Sequence, residues 1–314
     1  MQEWAAAAGI IRSAAARDRF RGTAPGELAG RVYATAADPA RLETATAWIG
    51  WLFLIDDQLD EGETGRDPVL TRKRLRPFAA MAAEMAGEDA AETEPFSPGR
   101  SARLPLLAAL RDIWRGIGTR MPADWCAEFA RHYSDYLRGC EWEARNRVRG
   151  RTPDEHEFLP KRRDAGAIWP SLDLLEYVAA APVPDHLRRD PLLTAIRTAC
   201  ADVVCWTDDL LTVAKERAHG DVHNLAIVLE RATGCDTRTA LRMVAQRIET
   251  RVTDFWELRR RIGAASFADG ALETHVEGLH HWMRGHLEWA LRTVRYDTTA
   301  APAAYLEDLW PDGA

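Results

Sequence analysis

Long runs of helix-forming residues, with almost no alternating β-branched stretches, constrain the fold of this chain more than any other feature. Alanine, leucine, arginine and glutamate dominate these runs, and such residues favour helices over strands. Neither a shift in composition nor a repeat of fixed period divides the 314 residues. The sequence therefore predicts an all-α protein with one domain over residues 1–314, in which 1–20 and 298–314 are candidates for mobile termini.

Individual helices are predicted from apolar-rich runs and from the residues that flank them. The predicted helices are 41–60, 68–85, 104–117, 123–147, 155–177, 185–218, 223–231, 236–263 and 272–296. We expect Pro77 to kink or split the second helix, and Pro160 and Pro170 to break or kink the fifth. We interpret 86–100 as a long loop and the strongly charged run 141–151 as exposed.

Composition excludes several classes of protein. A formal net charge of -7 argues against a general nucleic-acid binder, which carries a basic surplus. No apolar run reaches the roughly 18 residues of a membrane span, and the residues after Met1 lack the cationic start of a signal peptide. The 5 cysteines include no CxxC pair, which predicts reduced thiols rather than zinc or disulfides. We therefore predict a cytoplasmic protein without a membrane span or a nucleic-acid partner.

The first candidate site is a cluster of acids that follows an apolar run at 51–55. On a helix, Asp56 and Asp60 are four residues apart and share a face with Phe53. Two carboxylates about 4 Å apart repel by roughly 4 kcal/mol at an effective dielectric of about 20, so they need solvent, a proton or a cation. Oxygen ligands of this kind suit Mg²⁺. A solvated acidic helix end explains this cluster equally well when it is taken alone.

The second candidate site repeats this chemistry in the long helix 185–218. Asp208, Thr212 and Glu216 follow one another at intervals of four residues and therefore line up along one helix face. A carboxylate, a hydroxyl and a second carboxylate form an oxygen-only ladder for a hard divalent cation. Two such faces, each above an apolar stripe, favour a metal site more strongly than either face does alone.

This pair of motifs resembles the microbial class I terpene synthases, or terpene cyclases. DDQLD at 56–60 is similar to the aspartate-rich motif of that family, and DDLLTVAKE at 208–216 is similar to its second metal motif. The resemblance implies a helical bundle with a central apolar cavity and three Mg²⁺ ions. It makes Asp56 the principal ligand of the first motif with Asp60 beside it, and it makes Asp208, Thr212 and Glu216 the ligands of another ion. Asp57 and Glu61 lie off the shared face and are expected to be only solvated.

Further positions resemble the family's diphosphate-binding and cavity residues. Arg162 is similar to the diphosphate-sensing arginine, Lys215 to a diphosphate-binding lysine, and Arg295-Tyr296 to the RY pair. Gly166 matches the effector position at a helix break, whereas Ala165 departs from the polar residue often found before it. The aromatic residues assigned to the cavity wall are Phe53, Trp282 and Trp289. Plain core packing explains each of these aromatics equally well.

The resemblance implies Mg²⁺-dependent ionisation and cyclisation of a prenyl diphosphate, with farnesyl diphosphate as the expected substrate and a monomer or homodimer as the expected state. Geranyl and geranylgeranyl diphosphate remain alternative substrates. An isoprenyl diphosphate synthase would ordinarily carry a second DDxxD, which the 208–212 segment lacks. A metal-dependent phosphate-ester hydrolase and a non-catalytic helical scaffold are the remaining alternatives. No residue is assigned as the base that ends the reaction.

Overall fold

The structure is a computed structural model that describes residues 1–87, 104–265, 269–296, 307 and 309–310. All regular structure in those residues is helical, which confirms the all-α prediction. The helices are α1 (Gln2–Ala7), α2 (Ala14–Gly22), α3 (Pro25–Val32), α4 (Pro39–Asp60), α5 (Pro68–Ala86), α6 (Pro105–Gly118), α7 (Ala123–Arg149), α8 (Glu155–Ala165), α9 (Ile168–Val178), α10 (Asp185–Arg188), α11 (Pro191–Ala218), α12 (Leu225–Thr233), α13 (Thr237–Gly263) and α14 (Gly270–Ala290), with short 3₁₀ turns at Thr64–Arg66 and Val294–Tyr296.

The two helices that carry the acid motifs begin with the same dipeptide. Asp38 precedes Pro39 at the start of α4, and Asp190 precedes Pro191 at the start of α11. Each aspartate accepts a hydrogen bond from a backbone N–H of the first turn, and each proline occupies a position whose N–H has no partner in the helix. The second start divides the predicted helix 185–218, because α10 ends before Pro191 begins α11.

No helix in the described residues ends at the prolines where the sequence predicts a kink or a break. Helix α5 continues through Pro77, and α8 and α9 contain Pro160 and Pro170. Pro170 lies in the first turn of α9, where a backbone N–H has no partner within the helix. Pro77 and Pro160 each remove one backbone hydrogen bond, and burial of the helix face can offset that loss. The fifth predicted helix breaks at 166–167, next to the Gly166 that the family resemblance placed at a helix break, and Ala167 adopts the left-handed region with φ 50°.

The end of α14 also differs from the prediction. The last predicted helix extends to residue 296, but α14 ends at Ala290 and the chain turns into the 3₁₀ segment Val294–Tyr296. Thr293 lies at this turn, where its backbone N–H donates to the carbonyl of Trp289. This turn brings Arg295 and Tyr296 to the acid motifs, as described below. Beyond Gly87, the loop predicted at 86–100 lies outside the described residues, as does most of the 298–314 tail.

The apolar core is continuous and rich in aromatic residues. Trp48 and Trp51 of α4 stack with ring centroids 5.5 Å apart, and Phe129 of α7 packs edge-on against Trp48. Helix α3 packs against both α4 and α14, α14 packs against α11, and α5 and α8 pack against α7. These helices leave a cavity between them. None of the helices in the described ranges combines the length and the hydropathy that crossing a membrane requires.

The charged run 141–151 is not exposed as a whole, so that prediction is wrong for part of α7. Trp142, Ala144 and Asn146 are buried within this run. The error arises because a run of this length makes about three turns of a helix. Successive residues therefore point to different sides, and some of those sides pack against neighbouring helices. The face of α7 that includes Glu143 and Arg147 lines the cavity instead.

Candidate active site

A cavity of about 210 Å³ lies between helices α3, α4, α7, α8, α9, α11 and α14. Its interior is apolar and its mouth is rich in charged groups. The apolar and aromatic lining comprises Leu28, Ile49, Leu52, Phe53, Ile168, Val204, Trp282 and Trp289. Every residue that the sequence assigns to the site lines this one cavity: Phe53, Asp56, Asp60, Arg162, Gly166, Asp208, Thr212, Lys215, Glu216, Trp282, Trp289, Arg295 and Tyr296. A cavity lined by both apolar and charged groups suits a substrate that has an apolar tail and an ionic head.

The first acid motif lies at the C-terminal end of α4, where Asp56 faces the cavity. A guanidinium nitrogen of Arg295 lies 2.6 Å from the Asp56 carboxylate. Burial raises the pKa of Asp56 to about 8, and the nearby carboxylate of Asp60 raises it further against the opposing effect of Arg295. The Asp56 side chain remains 40% exposed at the cavity, and a carboxylate that is only partly neutralised can accept an additional cation.

Asp57 and Glu61 are not solvated, which corrects the expectation for these two residues. Asp57 lies 2.5 Å from Arg295 and 3.6 Å from Arg19 of α2. The carboxylate of Glu61 lies 2.6 Å from Arg19 and 3.3 Å from Lys215. The side chains of both acids are nearly inaccessible, at 11% and 4% exposure. Asp57 shares the Arg295 guanidinium with Asp56, and Glu61 lines the same cavity, so protein groups rather than solvent surround both acids.

The second acid motif occupies the last turns of α11. Thr212 donates a hydrogen bond of 2.7 Å to one oxygen of Glu216, and its own position is fixed by the carbonyl of Asp208. The other carboxylate oxygen of Glu216 is buried and has no hydrogen-bond partner among the described residues. Burial and the carboxylates of Asp209 and Asp221 raise the pKa of Glu216 well above its usual range. An unpaired buried carboxylate oxygen of this kind is able to accept a cation.

Asp209 is a site residue that the sequence analysis did not assign. Ligand oxygens of Asp208, Asp209 and Glu216 all lie within 4.8 Å of one another. Asp209 is fully buried, accepts a hydrogen bond of 3.0 Å from the backbone N–H of Leu225, and has a pKa raised to about 6 by burial. The adjacent pair Asp208-Asp209 in the sequence could have indicated this residue. Asp209 falls outside the four-residue spacing of Asp208, Thr212 and Glu216, so helical periodicity did not predict it. These oxygens fit a hard divalent cation such as Mg²⁺.

Arg162 connects the break between α8 and α9 to this motif. Its guanidinium lies 2.7 Å from Asp208 and 2.8 Å from Asp209. Gly166 ends α8 one turn later, and a side chain there would begin 2.7 Å from the Arg162 guanidinium. Gly139 of α7 allows Ala165 to approach closely, because an added Cβ would lie 2.7 Å from its backbone. Close packing of two backbones therefore holds the break against the cavity.

Arg295 and Tyr296 join the two acid motifs through adjacent residues. Arg295 contacts Asp56 and Asp57 of the first motif, whereas the Tyr296 hydroxyl donates a short hydrogen bond to Asp208 of the second. The adjacent acids hold the pKa of Arg295 above its ordinary value. Lys215 makes a second connection through Glu61. Arg162 and Arg295, which are expected to bind diphosphate, are thus paired with acids that are expected to surround metal, whereas Lys215 pairs with Glu61.

The aromatic candidates form a connected group beside this pair. Phe53 stacks on Trp289 with centroids 5.4 Å apart, and Trp289 meets Tyr296 edge-on at 5.6 Å. The Arg295 guanidinium lies 4.6 Å from the centre of the Phe53 ring. Phe53 therefore already has a cation over its face. Trp282 lines the cavity separately and packs edge-on against Tyr33 at 5.7 Å.

Other polar residues of the cavity were not assigned from the sequence, among them Glu143, Arg147, Asp221 and His286. His286 is buried, lies 4.0 Å from Asp208, and has a pKa lowered by burial. Glu143 and Arg147 are four residues apart on α7, a spacing that would have placed them on one face. Asp221 lies in the turn that follows α11, where no regular spacing applies.

Comparison with known proteins agrees with this geometry. The family model described as terpene synthase family 2, C-terminal metal binding, matches residues 47–254. The chain is 37% identical over 279 residues to the (-)-delta-cadinene synthase of Streptomyces clavuligerus, covering 87% of this chain and 81% of that protein. It is 31% identical over 299 residues to the (+)-T-muurolol synthase of Roseiflexus castenholzii, described as (2E,6E)-farnesyl diphosphate cyclizing, covering 94% and 87%. The crystal structure of germacradien-4-ol synthase from Streptomyces citricolor superposes with a TM-score of 0.76 at 26% identity, covering 92% of this chain and 89% of that one.

Proposed function

The chain is a microbial class I terpene synthase, a lyase that acts on a prenyl diphosphate, and from this premise we propose that it cyclises farnesyl diphosphate to a terpene hydrocarbon or alcohol. The observation that carries the proposal is the pair of acid motifs at the mouth of one apolar cavity, bridged by Arg295 and Tyr296. The C15 chain length is supported by the relative from Roseiflexus castenholzii, whose description names farnesyl diphosphate.

The acid motifs would hold divalent cations, and Mg²⁺ fits their oxygen-only donors. The fit rests on the unpaired buried oxygen of Glu216 and on the close approach of its ligand atoms to those of Asp208 and Asp209. Asp56 with Asp60 supplies the opposing face, and the family resemblance implies three ions in total. When bound, the ions supply positive charge that stabilises the departing diphosphate.

The chain's own cations bind and orient the diphosphate. Arg162 and Arg295 present guanidinium groups that can contact two phosphate oxygens at once, whereas Lys215 adds a compact charge and Tyr296 a hydroxyl donor. Because the site is buried, these donors act in a low dielectric on charge that develops as the carbon–oxygen bond breaks. The bonding electron pair leaves with the diphosphate, and an allylic carbocation remains in the cavity.

The apolar walls protect this carbocation until it has cyclised. Water is excluded by packed side chains, which prevents early capture of the cation. The faces of Phe53, Trp282 and Trp289 stabilise positive charge by about 0.5 to 2 kcal/mol each where they meet it. Loss of a proton then gives an alkene, or capture of a water molecule gives an alcohol.

The test is incubation of the purified protein and Mg²⁺ with C10, C15 and C20 prenyl diphosphates, followed by analysis of the extract. We expect a cyclic C15 product. Lengthening of the diphosphate only when isopentenyl diphosphate is added would indicate chain elongation, and no conversion at all would contradict the proposal.

Two site variants test the residue assignment separately. Asp56→Ala and Glu216→Ala are each expected to abolish or strongly reduce product, whereas Glu249→Gln, on an exposed face of α13, should leave the yield unchanged. Unchanged product in both site variants would refute the metal assignment and leave the reaction itself intact.

A further inference from the structure

Arg147 lies outside both acid motifs, yet its guanidinium contacts a residue on each side of the cavity mouth. One nitrogen lies 2.5 Å from Asp60, the last residue of α4. The Nε and the same terminal nitrogen lie 2.8 and 2.7 Å from Asp221, in the turn that follows α11. The Arg147 side chain is only 11% exposed. A single side chain of α7 therefore joins the segments that carry the two motifs.

Asp221 is prepared for this contact. One of its carboxylate oxygens accepts hydrogen bonds from the backbone N–H groups of Val222 and His223, at 2.6 and 3.0 Å, and lies 2.6 Å from the His223 ring. The other oxygen faces Arg147. A carboxylate held at one oxygen by the backbone presents the second in a fixed direction, so Asp221 anchors the guanidinium to the end of α11.

The space for the guanidinium is also formed by neighbouring residues. Gly65 lies in the buried turn after α4, and an added Cβ would lie 3.0 Å from an Arg147 nitrogen and 1.7 Å from the carbonyl of Leu59. Glu143, one turn earlier on α7, lies 3.4 Å from the same guanidinium. Arginine suits such a position because its planar group donates in several fixed directions at once, which lysine cannot do.

We propose that Arg147 is a positioning residue that orients Asp60 and fixes the separation of the two acid motifs when divalent cations bind. The inference rests on the proposed function, because it concerns the same cation sites. Groups that orient the ligands of a metal affect metal affinity without touching the metal, by roughly 10- to 100-fold when removed. Neither motif can perform this role alone, since each lies on a separate helix.

The principal test measures how much Mg²⁺ is needed to stabilise the protein against heat at a fixed concentration of inorganic diphosphate. We expect Arg147→Gln to raise the half-saturating Mg²⁺ concentration by roughly 10- to 100-fold. The matched control is Arg145→Gln on the same helix, whose side chain is 39% exposed and 3.4 Å from Glu141. The control should retain the wild-type Mg²⁺ requirement.

A second variant removes the anchor and keeps the arginine. Asp221→Asn weakens the contact between Arg147 and the end of α11, so it should also raise the Mg²⁺ requirement. The double variant Arg147→Gln/Asp221→Asn should raise it by less than the sum of the two single effects, because both changes remove the same contact. If Arg147→Gln does not fold, Asp221→Asn carries the same test. At saturating Mg²⁺, the KM for prenyl diphosphate should remain near the wild-type value while kcat falls.

The outcomes separate this inference from its premise. An unchanged Mg²⁺ requirement in the folded variants overturns the positioning role. If the KM for prenyl diphosphate at saturating Mg²⁺ is also raised, Arg147 instead contacts the diphosphate directly. If Mg²⁺ with diphosphate does not stabilise the wild-type protein, the proposed metal sites are refuted, and the role of Arg147 that rests on them is refuted with them.

Discussion

Arg295 lies 2.6 Å from Asp56, a residue 239 positions earlier in the chain. Arg295 is expected to bind the leaving diphosphate and Asp56 is expected to bind metal. In this contact the two side chains neutralise each other's charge. The same pairing occurs between Arg162 and Asp208, 2.7 Å apart. When only one ligand is present, Mg²⁺ has to compete with the arginines for the acids, or diphosphate has to compete with the acids for the arginines. When both are present, Mg²⁺ takes the acids and diphosphate takes the arginines, so each ligand makes room for the other.

We accordingly predict strong coupling between Mg²⁺ and inorganic diphosphate. Either ligand alone should raise the melting temperature only slightly, whereas both together should raise it by far more than the sum. A ligand present at 100 times its dissociation constant adds about 2.7 kcal/mol to the free energy of unfolding. Differential scanning fluorimetry with each ligand and with both measures the coupling.

Replacement of Arg295 should reverse part of this coupling between Mg²⁺ and diphosphate. Arg295→Gln frees Asp56, so it should increase the shift given by Mg²⁺ alone and decrease the shift given by both ligands. Arg284→Gln, with a side chain 72% exposed, is the matched control and should behave as the wild type does. A wild-type shift with diphosphate alone as large as with both ligands would contradict the coupling.

Gly166→Ala is predicted to impair catalysis with little loss of stability. The backbone at Gly166 has φ -75°, which alanine adopts freely, so the cost arises from contact. The new Cβ would lie 2.7 Å from the Arg162 guanidinium, the flexible end of that side chain, and would displace it. A displacement of about 1 Å at such a group can reduce the rate by roughly 100-fold.

Steady-state kinetics and thermal melting of the same sample check this prediction. Gly263→Ala at the end of α13 is the control, because an added Cβ there meets nothing within 4 Å. The prediction is wrong if the activity of Gly166→Ala equals that of the control, or if its activity falls only in proportion to the folded fraction.

Phe53→Leu is predicted to slow the reaction and to change the ratio of products. The Phe53 ring already holds the Arg295 guanidinium at 4.6 Å from its centre, and a carbocation could use the same face. Loss of a cation–π contact of about 0.5 to 2 kcal/mol corresponds to a rate reduction of roughly 2- to 30-fold. Gas chromatography with mass spectrometry gives both the yield and the product ratio.

Two further variants distinguish an aromatic role from packing. Phe53→Tyr retains the aromatic face and should keep most of the activity, whereas Phe255→Leu removes a buried ring of α13 outside the cavity and should lower stability without altering the products. Equal product ratios in Phe53→Leu and wild type would favour plain core packing for Phe53.

His275 is predicted to make the protein less stable as the pH falls. Neither ring nitrogen has a hydrogen-bond partner among the described residues, and burial lowers its pKa from 6.5 to about 3, with Arg197 adding to this effect. Asp173 opposes the shift and Arg188 supports it. Below pH 6.5 the unfolded chain takes up a proton that the folded chain refuses until about pH 3. This residue therefore reduces the free energy of unfolding by up to about 1.4 kcal/mol per pH unit within that window.

Urea unfolding of wild type and His275→Leu between pH 7.5 and 4.5 isolates this effect. The difference between the two proteins should grow in favour of the variant as the pH falls. His156→Gln, which alters an exposed histidine of α8, should leave the pH dependence of the wild type unchanged. Parallel curves for wild type and His275→Leu would refute the assignment.

The sequence by itself determined the features that arise from neighbours a few residues apart. The helical runs, the Asp-Pro start of α4 and the spacing of Asp208, Thr212 and Glu216 depend on local hydrogen bonds and on the 3.6-residue period, which a single segment contains. The resemblance to a known family rests on the same short motifs. For that reason the fold class and the enzyme class were both predicted correctly.

Only the tertiary structure decided which side chains meet across the cavity. Nothing local indicates that Arg295 reaches Asp56, that Arg147 joins Asp60 to Asp221, or that other helices cover the outward face of Asp57. Burial is a property of packed helices rather than of one helix, so an acid that is solvated on an isolated helix becomes a paired acid when a neighbour covers it.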